Sequence, residues 1–333
     1  MLKKFATAAV MAGLSAGVLC ADIDLCDGQF KITGEYLYLK PNVDNTYFVN
    51  IPPVGGSGDF PIGDRINNEF GYDSGYRVEG AYIFGCGNKA LSASFAAIDA
   101  KTSKYVEGSG LSATQSYAQF DDNDFTDYDG SADSRQNFDA RWGDISFTQN
   151  IFCGPCLNIA VRVGAQAARL KFQQKVTYLS SVYEGDLRFK TRTNGVGPLL
   201  GFDIYYPIKS NCLCDGTLGL VFKGSDALLV SRSYNDTYFV RRQLSNNDLS
   251  LRVDTKNKKE SRVVPALQGR IGLKYDFNVA CINTGLEIGY DFSTYLRAIQ
   301  RTAYPNNYTD KASYNYYDDV DLQGLYVAAS VTF

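Results

Sequence analysis

Along much of this chain apolar and polar residues alternate one by one. In 157–167, Leu157, Ile159, Val161, Val163 and Ala165 share one face, and Asn158, Arg162 and Gln166 the other. In 267–277, Leu267, Ile271, Leu273, Tyr275 and Phe277 oppose Gln268, Arg270, Lys274 and Asp276. In 286–292, Leu286, Ile288, Tyr290 and Phe292 oppose Glu287 and Asp291. A period of two is the signature of a strand with unlike faces. Strands are predicted at 30–39, 75–84, 89–98, 141–152, 157–167, 196–208, 217–224, 264–280 and 284–296, with a last one ending at Phe333. Two stretches sort poorly. Residues 139–149 show no clean alternation, and 30–39 changes phase near Gly34, which predicts a bulge there.

The connections fall into two kinds. "GCGN", "CGPC", "KSNCLCDG" and "CIN" are short, while the intervening stretches are long and polar. This predicts an all-β fold, an antiparallel transmembrane β-barrel of about ten strands, with short periplasmic turns and long extracellular loops. Eight to about fourteen strands stay open, because 107–137 and 233–260 are each long enough to hold another hairpin. A soluble β-sandwich also alternates, with its apolar face turned inward. One-sided loop lengths, charge on the second face and the ending "LYVAASVTF" favour the barrel. Leu325, Val327, Ala329, Val331 and Phe333 form an apolar series reaching the last residue, a candidate signal for barrel-assembly machinery.

The first 21 residues carry Lys3 and Lys4 and then an apolar run, Phe5 to Cys20, the form of an export signal. Cleavage fits after Cys20 or Ala21, and Leu19 argues against a lipoprotein at Cys20. The expected organisation is a signal peptide, 1–21, and a single barrel domain, 22–333. No later stretch is apolar enough for a membrane helix, so the expected location is the outer membrane of a Gram-negative-type bacterium, in contact with its lipid. Without Lys3 and Lys4 the chain has 31 basic and 36 acidic residues, which argues against nucleic acid as a partner. There are 24 Tyr, 20 Phe and 31 Gly, a composition suited to strands that meet water on one face only.

Seven cysteines remain after the signal: Cys26, Cys86, Cys153, Cys156, Cys212, Cys214 and Cys281. All map to the predicted short turns or just before the first strand, so they form a periplasmic-rim set of disulfide candidates. An odd number leaves a thiol free or joined to another molecule. "CGPC" at 153–156 matches a thioredoxin active site, but that chemistry needs a helix N-terminus, and here the motif joins two strands. Zinc on cysteine is disfavoured by oxidising export.

Histidine is absent, which removes Ser–His–Asp hydrolysis and histidine metal sites. Omptin-type proteases and membrane-barrel lipases use histidine, and this chain departs from them. Asp121/Asp122 and Asp318/Asp319 read as solvated loop carboxylates. No enzyme activity, metal or cofactor is expected.

The opening "ITGEYLYLKPNVDNTYFV", 32–49, resembles the start of the Legionella-type major outer membrane protein family, which includes porins of chlamydia-like bacteria. The residues that carry it are Gly34, Glu35, Tyr36, Leu37, Tyr38, Lys40, Pro41 and Asp44. The family pattern has Trp where this chain has Leu39. The resemblance implies an outer-membrane porin, often held in disulfide-linked complexes with itself or other cysteine-rich envelope proteins. It carries no catalytic motif.

The expected function is therefore passive diffusion of small solutes through a lumen lined by Arg77, Glu79, Arg162, Asp203, Arg270, Lys274 and Glu287, with opposed acidic and basic walls filtering by charge. The alternative is a non-conducting structural or adhesive barrel, its charges closed into salt bridges and its rim cross-linked by disulfides. Strand number bears on the choice, since eight-stranded barrels are filled and water-filled porins have about sixteen strands.

Overall fold

A computed structural model describes residues 28–51, 64–85, 87–113, 128–154, 157–208, 216–245, 249–256, 259–279, 282–303 and 314–333. The expected signal peptide, six of the seven rim cysteines and Asp121/Asp122 lie outside them. The elements are β1 (Gln29–Val43), β2 (Tyr47–Ile51), β3 (Asp64–Asn67), β4 (Asp73–Ile83), β5 (Lys89–Ala113), β6 (Tyr128–Cys153), β7 (Asn158–Ser180), β8 (Tyr183–Ile208), β9 (Thr217–Gln243), β10 (Leu249–Lys256), β11 (Glu260–Val279), β12 (Ile282–Ala303) and β13 (Tyr314–Thr332).

Ten of these close into one antiparallel ring: β1, β4 to β9 and β11 to β13. Closure comes from β1, which pairs with β4 on one side and β13 on the other. The seam holds to the chain end, where Phe30 and Phe333 exchange backbone hydrogen bonds of 2.8 and 2.9 Å. Following paired residues around the ring from Lys274 passes Glu287, Ala328, Glu35, Arg77, Ala96, Trp142, Ala168, Gly195 and Ser231. The path returns to β11 at Arg262, twelve residues from its start. A ten-stranded ring with that stagger has strands tilted by about 40° and a backbone radius of about 10 Å.

The outward face is apolar in a band. Ile32, Val78, Ile145, Leu200, Ile271, Ile288 and Val327 all stand exposed on it. Aromatic rings flank the band. Phe30 packs on Tyr82 and Phe333 near the short turns, and Tyr38 stacks on Tyr72 towards the other end. An exposed apolar band between aromatic girdles is the outer surface of a membrane barrel, and its short-turn end is the periplasmic one.

Several expectations change. Pairing of β1 runs without a register shift past Gly34, so the predicted bulge is absent. The phase changes because the inward residues switch from Lys31, Thr33 and Glu35 to Leu37 and Leu39, both fully buried. The described parts of 107–137 extend β5 and β6 and add no further ring strand. In 233–260, β9 continues and β10 lies beside it, off the ring. The expected loop between 167 and 196 is strand, with β7 and β8 joined by Ser181–Val182 alone. The sheet thus stands well above the apolar band.

Candidate functional site

The lumen has two storeys. In the periplasmic half, each of the seven charged residues predicted for the lumen projects inward. Arg270 of β11 donates to Glu35 Oε1 and Oε2 at 2.8 and 2.7 Å and to Asp291 Oδ2 at 2.8 Å. Arg77 of β4 reaches the same two carboxylates at 3.1 and 3.0 Å. Two arginines and two carboxylates therefore form a closed quartet across five consecutive strands, with Glu35, Arg270 and Asp291 buried and Arg77 half-buried. Ala328 on β13, between the partners, is small enough to let them meet. Tyr326 of the same strand lies under Arg270, ring centroid 4.0 Å from its guanidinium carbon, and donates to Glu287 at 2.6 Å.

Below the quartet the charges loosen. Lys274 pairs with Asp276 at 2.7 Å. Arg162 stands 3.5 Å from Asp203, without hydrogen-bond geometry, and its Nε has no hydrogen-bond partner. Glu79 and Lys223 line the space between them, a cavity of about 250 Å³ that also touches Lys31, Lys274 and Glu287. Towards the quartet and Trp142 it narrows to about 50 Å³. The predicted opposition of an acidic and a basic wall is not found. Acid and base are interspersed around the ring and pair locally.

The upper storey is built on an apolar layer. Leu37, Ile98, Phe138, Leu170, Phe172, Tyr295 and Leu322 point inward from opposite walls and are at most 3% exposed. They form one apolar cluster inside the barrel. Part of it comes from outside the wall. The segment from Asp44 to Tyr72, described at 44–51 and 64–72, folds into the barrel mouth. Its Phe70 packs on Phe138 and Phe172, ring centroids 6.2 and 6.4 Å apart. Asn68 Nδ2 donates to the Ser134 carbonyl at 2.9 Å, and Tyr178 Oη to the Phe48 carbonyl at 2.7 Å. A second insertion is a bulge in β12, where register slips between Tyr295 and Ile299 and Arg297 takes a left-handed φ of 56°. It turns the Ala298 carbonyl inward to accept from Thr193 at 2.6 Å and Arg262 at 2.9 Å.

Near the mouth, Asp318 is buried against Arg301 and Asn45, which corrects its reading as a solvated carboxylate. Arg301 is held between the rings of Phe172 and Phe189. Asp44, beside Asp318, Asp319 and Asp321, has its carboxyl pushed above the ordinary range, first by burial and then by these neighbours. At the opposite rim, Cys153 is exposed and unbridged. Leu325, Val327 and Val331 face outward on β13.

The sequence from 26 to 333 matches the family model described as Legionella pneumophila major outer membrane protein precursor. The chain belongs to that family. Its location is therefore the outer membrane, which the apolar band and girdles accommodate. No curated protein sequence matches the chain. Among solved structures, the outer membrane protease OmpT from Escherichia coli is 9% identical, with 94% of this chain and 98% of that chain covered and a TM-score of 0.46. The Ralstonia pickettii toluene transporter TbuX is 10% identical, over 94% and 90% of the chains, with a TM-score of 0.30. The translocator domain of the Neisseria meningitidis autotransporter NalP is 10% identical, over 98% and 96%, at 0.29. These likenesses carry no argument about what this family member does.

Sequence reading missed Glu35, Asp291 and Lys223 as lumen residues. Asp291 was findable, being four positions from Glu287 on the same face. Glu35 was masked by the phase change in β1. Lys223 lay inside the predicted strand 217–224, but Gly219 and Val221 share its face there, so that face did not read as polar.

Proposed function

We propose that the protein is a gated conduit for small charged solutes, shut in the conformation described here. The observation that carries this reading is how the seal is made. Ala96, Ala100, Ala140, Ala168, Ala227 and Ala266 all face inward within the apolar cluster. A wall so rich in small side chains leaves space in a ring of this radius. Phe70, delivered by a segment that is not part of the wall, takes up some of that space. Below it lies a charged vestibule whose Arg162 and Asp203 are incompletely bonded, as suits groups that exchange partners with passing ions.

A second reading is a non-conducting structural or adhesive barrel. It is favoured by Trp142, Tyr295 and Tyr326, large side chains of the wall itself that are at most 3% exposed inside the barrel. Cross-linking through rim thiols belongs with this reading, and equal migration on reducing and non-reducing gels would count against it. Planar-bilayer recording separates the two functions. A gated conduit gives rare openings in the native protein and more frequent ones in Phe70→Ala. Silence from both, with the barrel folded, leaves the structural role.

A further inference from the structure

Outside the lumen, the outer surface of β5 to β8 carries a feature that neither solute passage nor barrel closure uses. Within the apolar band there is a depression of about 1010 Å³. Its floor is made of small residues, Ala93, Gly143, Ala165 and Ala167, and its sides of larger ones such as Phe95 and Ile145. At its upper end, away from the periplasm, it is capped by Arg141 of β6 and Arg169 of β7, and these two stand directly opposite each other in the sheet.

Like charges placed directly opposite across two strands are destabilising. Here the arrangement recurs further up the sheet. Lys171 faces Arg192 on one side and Asp139 on the other, and Lys175 faces both Arg135 and Arg188. Arg135, Lys175 and Arg188 line a shallow groove of about 630 Å³ just above the depression. Three of these cations share a nearby carboxylate: Arg141 with Asp139, Arg135 with Asp133, and Lys175 with Asp186. Arg169 and Lys171 have no salt-bridge partner among the described residues, and Arg169 Nε is covered without a hydrogen-bond acceptor. The chain as a whole is acidic. A ladder of facing cations, placed where the lipid-facing surface ends, is stable when an anion sits between the rungs.

We propose that this surface is a binding site for a phosphorylated glycolipid of the outer leaflet. Its acyl chains lie in the depression floored by Gly143 and Ala165, and one phosphate bridges Arg141 and Arg169. Guanidinium groups suit that task because each offers a planar pair of donors to phosphate oxygens. The higher rungs take further phosphates or acidic sugars of the same molecule. The two halves of the site are independent in chemistry. The depression asks for a chain of methylenes, and the ladder for negative charge. A lipid with both at the right separation satisfies each, whereas free phosphate satisfies only one.

The test uses the full mature chain refolded in neutral detergent. It is titrated with lipid A, with the same lipid after removal of its phosphates, and with inorganic phosphate, read by native mass spectrometry and the unfolding midpoint. Lipid A should bind and raise the midpoint, and the dephosphorylated lipid and inorganic phosphate should do neither. The double variant R141Q/R169Q should weaken lipid A binding at least tenfold, and Ala165→Trp, which fills the floor, should weaken it with the ladder intact. In lipid-free detergent R169Q should be at least as stable as the native protein, because a like-charge pair has been relieved. Native-strength binding by R141Q/R169Q, equal binding of the dephosphorylated lipid, or the same shift from inorganic phosphate would each overturn the proposal. So would a loss of lipid-free stability in R169Q, which would make the arginine pair structural.

Discussion

The two storeys of the lumen fill the same ring by opposite means. In the periplasmic half, charge is neutralised by charge, and the Arg77–Glu35–Arg270–Asp291 quartet leaves its members largely shielded from water but paired. Towards the loops, Leu37, Phe138 and Phe172 meet across the barrel as in the centre of a soluble domain. The first solution is directional and fails abruptly when one member is lost. The second is adaptable, since an apolar contact has no required angle. The contrast teaches that a membrane barrel of this size has two apolar environments, lipid outside and a packed core inside, with buried polar residues on both the periplasmic and the loop side of that core.

The sharpest way to break the contrast is at Arg270. Replacing it with Met leaves Glu35 and Asp291 sharing Arg77 alone, and should cost about 3 to 5 kcal/mol, as for a buried pair with one partner removed. Loss of the heat-resistant folded band on cold gels would report it. The double change E35Q/R270M removes charge from both sides and should recover most of that loss. Recovery failing to appear would mean that Arg270 acts by packing on Tyr326 more than by pairing.

Phe70→Ala probes the apolar storey and should cost about 3 kcal/mol in docking of the inserted segment. Hydrogen exchange at 44–51 and 64–72 would rise while the ring stays protected. Faster exchange throughout the ring would show that the segment holds the wall together. Tyr178→Phe removes the bond to the Phe48 carbonyl and should loosen β2 by about 1 kcal/mol, seen in the same experiment.

The smallest effect concerns Asp44. Its folded carboxyl binds a proton more tightly than the unfolded one, whose ordinary value is 3.8. The protonated fold is thus favoured, and that contribution is lost as pH rises from the ordinary carboxylate range through the raised value. Denaturant midpoints should fall slightly across this window, and Asp321→Asn should flatten the slope. An unchanged slope in that variant would show that Asp321 adds nothing to what burial, Asp318 and Asp319 already do.

These storeys were unequally legible in the sequence. Where the lumen is charged, as at Arg270, Lys274 and Glu287, alternation was plain, because the two faces differ in polarity. Where it is apolar, both faces of a strand are greasy and the period of two vanishes. Residues 139–149 are the instance: Ile145 meets lipid while Trp142 and Ala140 point into the core, so no sorting by polarity works. The same erasure at Leu37 and Leu39 imitated a bulge in β1. Strand lengths were read too short for the converse reason. Above the membrane the outer face turns polar, and β7 and β8 there resemble loop. The inward turn of the segment carrying Phe70 had no local mark, since it depends on alanines that lie far away along the chain.

One consequence follows from the seam that joins Phe30 to Phe333. Every other pairing of the ring links strands that neighbour each other along the chain, apart from small insertions. The join between β1 and β13 brings together the two ring strands furthest apart in sequence. Until it forms, the sheet is an open ribbon with two unsatisfied edges. Whatever shields those edges decides whether the ribbon curls onto itself or captures a neighbour.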